Sequence, residues 1–152
     1  MANVIPLLVA FVGALFGTYF ALLKSRRECL WLDRYETLLR IVSTAEIVRS
    51  RFMMQQADHL QLHEFTAEEI AAMETSWKSA RADLRTDVTR VRMLFDATDA
   101  RSVVDAHQDL DRAILEALAP TQRDPNLVFN SVWLRTNDLI DKVIALARKR
   151  CR

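Results

Sequence analysis

His59 and His63 stand four residues apart between Asp58 and Glu64, a spacing that on one helical face can turn two imidazoles toward a shared metal ion. A metal centre needs a third or fourth ligand, and no further His or Cys follows nearby to supply one. His107 is the other candidate. It falls on an apolar stripe with Asp105, Asp109 and Asp111 close in sequence, a pattern that suits either a general base oriented by a carboxylate or a histidine satisfied within a core. The chain contains no nucleophile elbow, glycine-rich phosphate loop, HExxH pair or DxDxDG loop. Its 2 glycines, Gly13 and Gly17, both lie in an apolar N-terminal run, so a phosphate cradle of backbone amides is hard to build. The expectation is a non-catalytic protein: no catalytic residue, no cofactor, no metal and no evident small-molecule substrate.

Cys29 and Cys151 are too few for a disulfide scaffold and lack CxxC spacing, which points to reduced thiols in a cytosolic compartment. Charge is nearly balanced, with 21 Lys or Arg against 20 Asp or Glu, yet every charge lies after residue 23. Lys24, Arg26 and Arg27 follow the apolar run, and Arg148, Lys149, Arg150 and Arg152 close the chain. Without these two basic clusters, 14 basic side chains face 20 acidic ones, leaving a body of about −6. That excludes an overall basic footprint for nucleic acid.

Residues 4–23, VIPLLVAFVGALFGTYFALL, form twenty residues without a charge. At about 1.5 Å per residue a helix of this length covers the roughly 30 Å hydrocarbon core of a bilayer. The run therefore predicts a single transmembrane anchor over residues 1–23, with Pro6 tolerated in its first turn. No basic n-region precedes it, which argues against a cleaved signal peptide. Because Lys and Arg flanking a span are retained on the cytoplasmic side, Lys24, Arg26 and Arg27 predict an outside N-terminus and a cytoplasmic C-terminal domain, in a membrane such as the bacterial inner membrane. Gly13 and Gly17 form a GxxxG, a possible face for dimerisation of the span.

Residues 24–152 read as one domain of four amphipathic helices, at about 24–62, 67–96, 100–118 and 125–150. In the first, Trp31, Tyr35, Leu38, Val42, Ala45, Val48 and Phe52 recur at spacings of three and four, and nothing breaks the pattern after the anchor, so one helix should continue from the other. Thr66 with Glu69 makes a capping box for the second, whose apolar set runs from Ile70 through Met73, Trp77, Ala80, Leu84, Val88 and Val91 to Phe95. Thr98 or Asp99 offers an N-cap for the third, marked by Val103, His107, Leu110, Ile114 and Leu118. Asp124 and Pro125 start the fourth, which carries Phe129, Val132, Trp133, Leu139, Ile140, Val143, Ile144 and Ala147. Trp31, Trp77 and Trp133 are expected to fill the core, in a shared aromatic layer rather than round a ligand pocket, with the membrane interface as the alternative place for Trp31.

The fold class expected is thus all-α: a single transmembrane helix continuing into a cytosolic, antiparallel up-down four-helix bundle of coiled-coil-like long helices. In that topology Arg148, Lys149, Arg150 and Arg152 finish at the same end as Lys24, Arg26 and Arg27, where an anionic leaflet favours basic residues. The expected partners are the lipid bilayer and a protein, or a second copy of the chain. In having one N-terminal span before long helices, the chain also resembles the phage inner-membrane spanins. That resemblance implies a small membrane-acting effector or accessory subunit, as in lysis, toxin or phage-defence systems. Spanins, however, extend into the periplasm, opposite to the direction set by Lys24, Arg26 and Arg27.

Overall fold

The computed structural model describes the backbone of residues 4–119 and 124–150, and side chains from Tyr19 onward within them except at 26 and 27. It is all-helical, with no strand among the described residues: α1 (Val4–His59), α2 (Ala67–Leu94), α3 (Ala97–Leu118) and α4 (Pro125–Arg150). The chain divides into two compact units, Met1–Asp33 and Arg34–Arg152, with the division inside α1. Among the described residues no helix is long and apolar enough to cross a membrane. Most of the predicted span, residues 4–18, has side chains outside that description, including Gly13 and Gly17.

In the second unit, polar contacts between helices run in opposite directions along each pair. Arg34 Nε donates to the Leu94 carbonyl at 2.8 Å, Arg40 lies 3.4 Å from Asp87, and Arg51 pairs with Glu74, so α2 descends as α1 rises. Asp111 binds Arg81 and Arg85 across α2 and α3. On α4, Arg135 approaches Asp109, whereas Lys149 reaches back to Asp99. Arg49 donates to Asn137 at 3.3 Å, and Phe52 meets Phe129, which closes α4 onto α1. This is the antiparallel up-down bundle. Lys149 and Arg150 lie at its end beside the α2–α3 connection, the end at which Arg34 enters. Lys24 belongs to the other unit, and Arg26, Arg27, Cys151 and Arg152 lie outside the described side chains.

Local chemistry explains most of the helix ends. Thr66 Oγ1 accepts from Glu69 N and Glu69 Oε2 accepts from Thr66 N at 2.9 Å, so the capping box forms as expected. Asp124 Oδ1 accepts from Asn126 N at 2.9 Å, capping α4 just ahead of Pro125. α1 stops at His59, short of the expected residue 62. There Leu62 N donates to Ala57 O and Gln61 N to Asp58 O, a Schellman pair that leaves Gln61 left-handed at φ 55°. Neither Thr98 nor Asp99 caps α3. The extended backbone of Phe95 ends α2, and Asp96 serves as N-cap through its carbonyl, which accepts from Asp99 N and Ala100 N.

The core follows the four apolar stripes with shifts. On α1 the buried residues are Thr37, Leu38, Ile41, Ala45, Val48 and Phe52, while Tyr35 is exposed and Val42 only half-buried. The anticipated 31, 35, 38, 42, 45 series repeats every 3.5 residues. A straight helix repeats every 3.6, so its start drifts off the buried face. On α4, Leu146 and the wholly buried Thr136 join Val132, Leu139 and Val143, and the Thr136 hydroxyl donates to Val132 O at 2.8 Å. Trp77 alone of the three tryptophans is buried; Trp31 is 44% and Trp133 43% exposed. The aromatic layer is instead Phe52 edge-on to Trp77, ring centres 5.6 Å apart, with Phe129 at 6.4 Å from Phe52. Trp133 lies one residue past the inward-facing Val132, and a step of about 100° turns it outward.

Candidate functional site

Asp99 has the most constrained carboxylate in the bundle. Its side chain is only 4% exposed, yet Lys149 Nζ sits 2.8 Å from one oxygen and Arg150 Nε on the other, with Arg150 Nη2 3.6 Å from Asp96. Both helix ends favour this arrangement, because a carboxylate in the first turn of α3 and cations in the last turn of α4 each complement the helix dipole. The hydrogen bonds from Lys149 and then Arg150 hold the Asp99 carboxyl below the usual carboxylate range. Two of the C-terminal basic residues are thereby engaged by acidic partners, while Arg148 remains exposed.

His107 faces the α2–α3 interface and is almost fully buried. Burial pushes its imidazole below the ordinary histidine value; Asp111 one turn on opposes this, and Arg85, Arg92 and Arg81 reinforce it. Asp105 and Asp109, its other acidic neighbours in sequence, turn instead to Arg101 and to Arg112 and Arg135. A general base must reach a proton of a bound molecule. This imidazole is enclosed by the bundle, so the core reading of the residue is the one its surroundings support.

His59 and His63 do not share a helical face. α1 ends at His59, and His63 lies beyond the Schellman turn with its ring edge-on to Phe65, centres 4.5 Å apart. Among the described residues no group of three His, Cys, Asp or Glu side chains is placed to hold a metal ion. Cys29 is an exposed free thiol.

Two buried acidic arrangements escaped the sequence reading. Asp87, counted there among the flanking charges, is buried between Leu84 and Val91 and faces Arg40 at 3.4 Å and Arg90 at 3.6 Å. Its position was readable, since it falls three residues after Leu84 and four before Val91 on the apolar arc. Asp99 likewise falls four residues before Val103 on the α3 stripe, but its partners lie about fifty residues away on α4 and were not readable.

In the first unit several large apolar side chains among the described residues are exposed. Tyr19, Phe20 and Leu22 are 60%, 64% and 59% exposed, and Leu30, Trp31 and Leu32 are exposed as well. Phe20, Leu23, Trp31 and Leu32 line one shallow face together with Lys24 and Glu28, which pair at 3.9 Å. Tyr19 packs edge-on against Phe20 at 6.2 Å. Apolar area of this extent costs free energy in water and is satisfied by lipid or by another protein surface. No protein family, curated protein or solved structure matches the chain.

Proposed function

We propose that the chain is a non-catalytic, membrane-tethered helical module whose bundle binds a partner protein or a second copy of itself. The observation that carries the tether is the set of exposed apolar side chains between Tyr19 and Leu32, which overlaps the end of the uncharged run of residues 4–23; Lys24, Arg26 and Arg27 follow that run in sequence. Aromatic side chains such as Tyr19 and Trp31 beside basic ones suit the boundary between hydrocarbon and water. In this reading residues 4–23 cross the bilayer once, with the N-terminus outside and the bundle in the cytoplasm. The partner-binding role draws on the outward-facing Trp133, Leu134 and Leu39 of α4 and α1, large apolar groups that the bundle does not cover.

Fractionation of cells producing the full chain tests the tether. It should stay with membranes through alkaline carbonate washing and be released by detergent; recovery in the soluble fraction without detergent refutes it. A photo-crosslinking residue at position 133 should then give a discrete adduct in those membranes. Uncrosslinked monomer alone refutes partner binding through this face.

A further inference from the structure

The α2–α3 interface places one buried imidazole among more cations than anions. His107 is 8% exposed and presents to α2, where Arg81, Arg85 and Arg92 bear on it. Asp111 is the opposing carboxylate, and it is already shared: Arg81 Nη2 lies 3.5 Å from one oxygen and Arg85 Nη2 3.2 Å from the other. Arg81 is also drawn inward, with its guanidinium 5.7 Å from the Trp77 ring centre and its Nε buried without a hydrogen-bond partner. A proton added to His107 would put a fourth positive charge beside a single, doubly engaged carboxylate, on an imidazole that is itself shielded from water although Arg85 is 66% exposed.

From this arrangement we infer that His107 is an acid-sensitive joint: its protonation loosens α2 against α3 and so opens the bundle along that seam. The charged groups acting on the imidazole come from α2 (Arg81, Arg85, Arg92) and from α3 itself (Asp111). The direction of the effect follows from which form the fold prefers. Burial holds the imidazole below its ordinary value, so the folded state favours the neutral ring. The stability this contributes is fully present above the unfolded histidine value of about 6.5, and it is lost as pH falls through that value toward the lowered one. The inference does not depend on the tether, because it concerns the second unit alone.

The test follows amide hydrogen exchange and imidazole nitrogen resonances of the full chain between pH 7.5 and 5, with exchange rates corrected for their intrinsic pH dependence. His107 should titrate below the ordinary histidine value of about 6.5. Protection of amides in residues 103–114 should fall on acidification more than protection of residues 41–48 in α1. His107→Gln should abolish this difference, whereas His63→Gln should leave it intact. Asp111→Asn, which removes the opposing carboxylate, should move the His107 midpoint lower still. If His107 titrates at or above the ordinary histidine value of about 6.5, or if His107→Gln retains the acid loss in α3, the joint does not exist as described. The resonance titration reads the folded protein directly, so it decides the matter even if one of the variants folds poorly.

Discussion

Replacing Asp87 and replacing its two arginines should have opposite consequences, although each removes the same ion pairs. Asp87 has a side chain only 6% exposed, whereas those of Arg40 and Arg90 are 47% and 50% exposed and can rehydrate when released. Half-exposed pairs contribute about 0.2–1 kcal/mol each, so their loss alone is small. Arg40→Ala with Arg90→Ala strands a carboxylate in the core, and an uncompensated buried charge costs several kcal/mol, about 2–4 here because partial hydration at its edge offsets some of it. Asp87→Leu removes the charge and extends the Leu84, Val88 and Val91 stripe, which should change stability by less than about 1 kcal/mol and can raise it. At about 3–5 °C per kcal/mol for a unit of this size, the double arginine variant should melt roughly 6–20 °C lower, and Asp87→Leu within about 5 °C of the parent. Thermal melts followed by circular dichroism at the helical band read both. If Asp87→Leu is destabilised as much as the arginine pair, the carboxylate itself stabilises the bundle and the desolvation reasoning fails.

Other expectations concern ends, core and latch. Gln61→Gly should raise the unfolding free energy by about 0.5–1 kcal/mol by relieving the left-handed residue of the Schellman turn, and Thr66→Ala should lower it by about 1 kcal/mol through loss of the capping box; urea titrations check both. Leu110→Ala, at a wholly buried position, should cost about 2–5 kcal/mol on the same titration, and a loss below 1 kcal/mol would mean that the α3 stripe is not the core. Asp99→Asn should speed amide exchange in residues 146–150 while leaving residues 132–139 protected, because the carboxylate holds only the last turn of α4. Since the Asp99 carboxyl is held below its usual range, the parent latch should stay intact above the ordinary aspartate value and loosen as pH falls below it. Unchanged exchange at residues 146–150 in the variant would remove the latch from the account.

The comparison of sequence with structure divides along interaction range. The capping box at Thr66 and the Asp124–Pro125 start of α4 were legible because their donors and acceptors lie within a few residues. The end of α1 was legible only to within a few residues, since a Gln at the left-handed position lacks the glycine that usually marks such a stop. His59 and His63 lost their shared face for that reason. The N-cap of α3 was misplaced because Asp99, an acceptable cap by type, is claimed by Lys149 and Arg150 from the far end of the chain. Trp31 and Trp133 were assigned to the core as large aromatics at helical spacing, but Trp133 stands a helix step of about 100° past Val132 and turns outward, and Trp31 is 44% exposed in the first unit.

Apolar periodicity and the scarcity of breakers determined by themselves that this is a chain of four long helices in antiparallel order, because the spacing of side chains on a helix is a property of the backbone. The same local patterning identified the uncharged run and the basic residues that follow it. Which cations and anions surround the buried charges was decided only by tertiary structure. Asp87, Asp99 and His107 each acquire their surroundings from cations on neighbouring helices, and the free energy of a buried charge depends on what packs against it rather than on its neighbours in sequence.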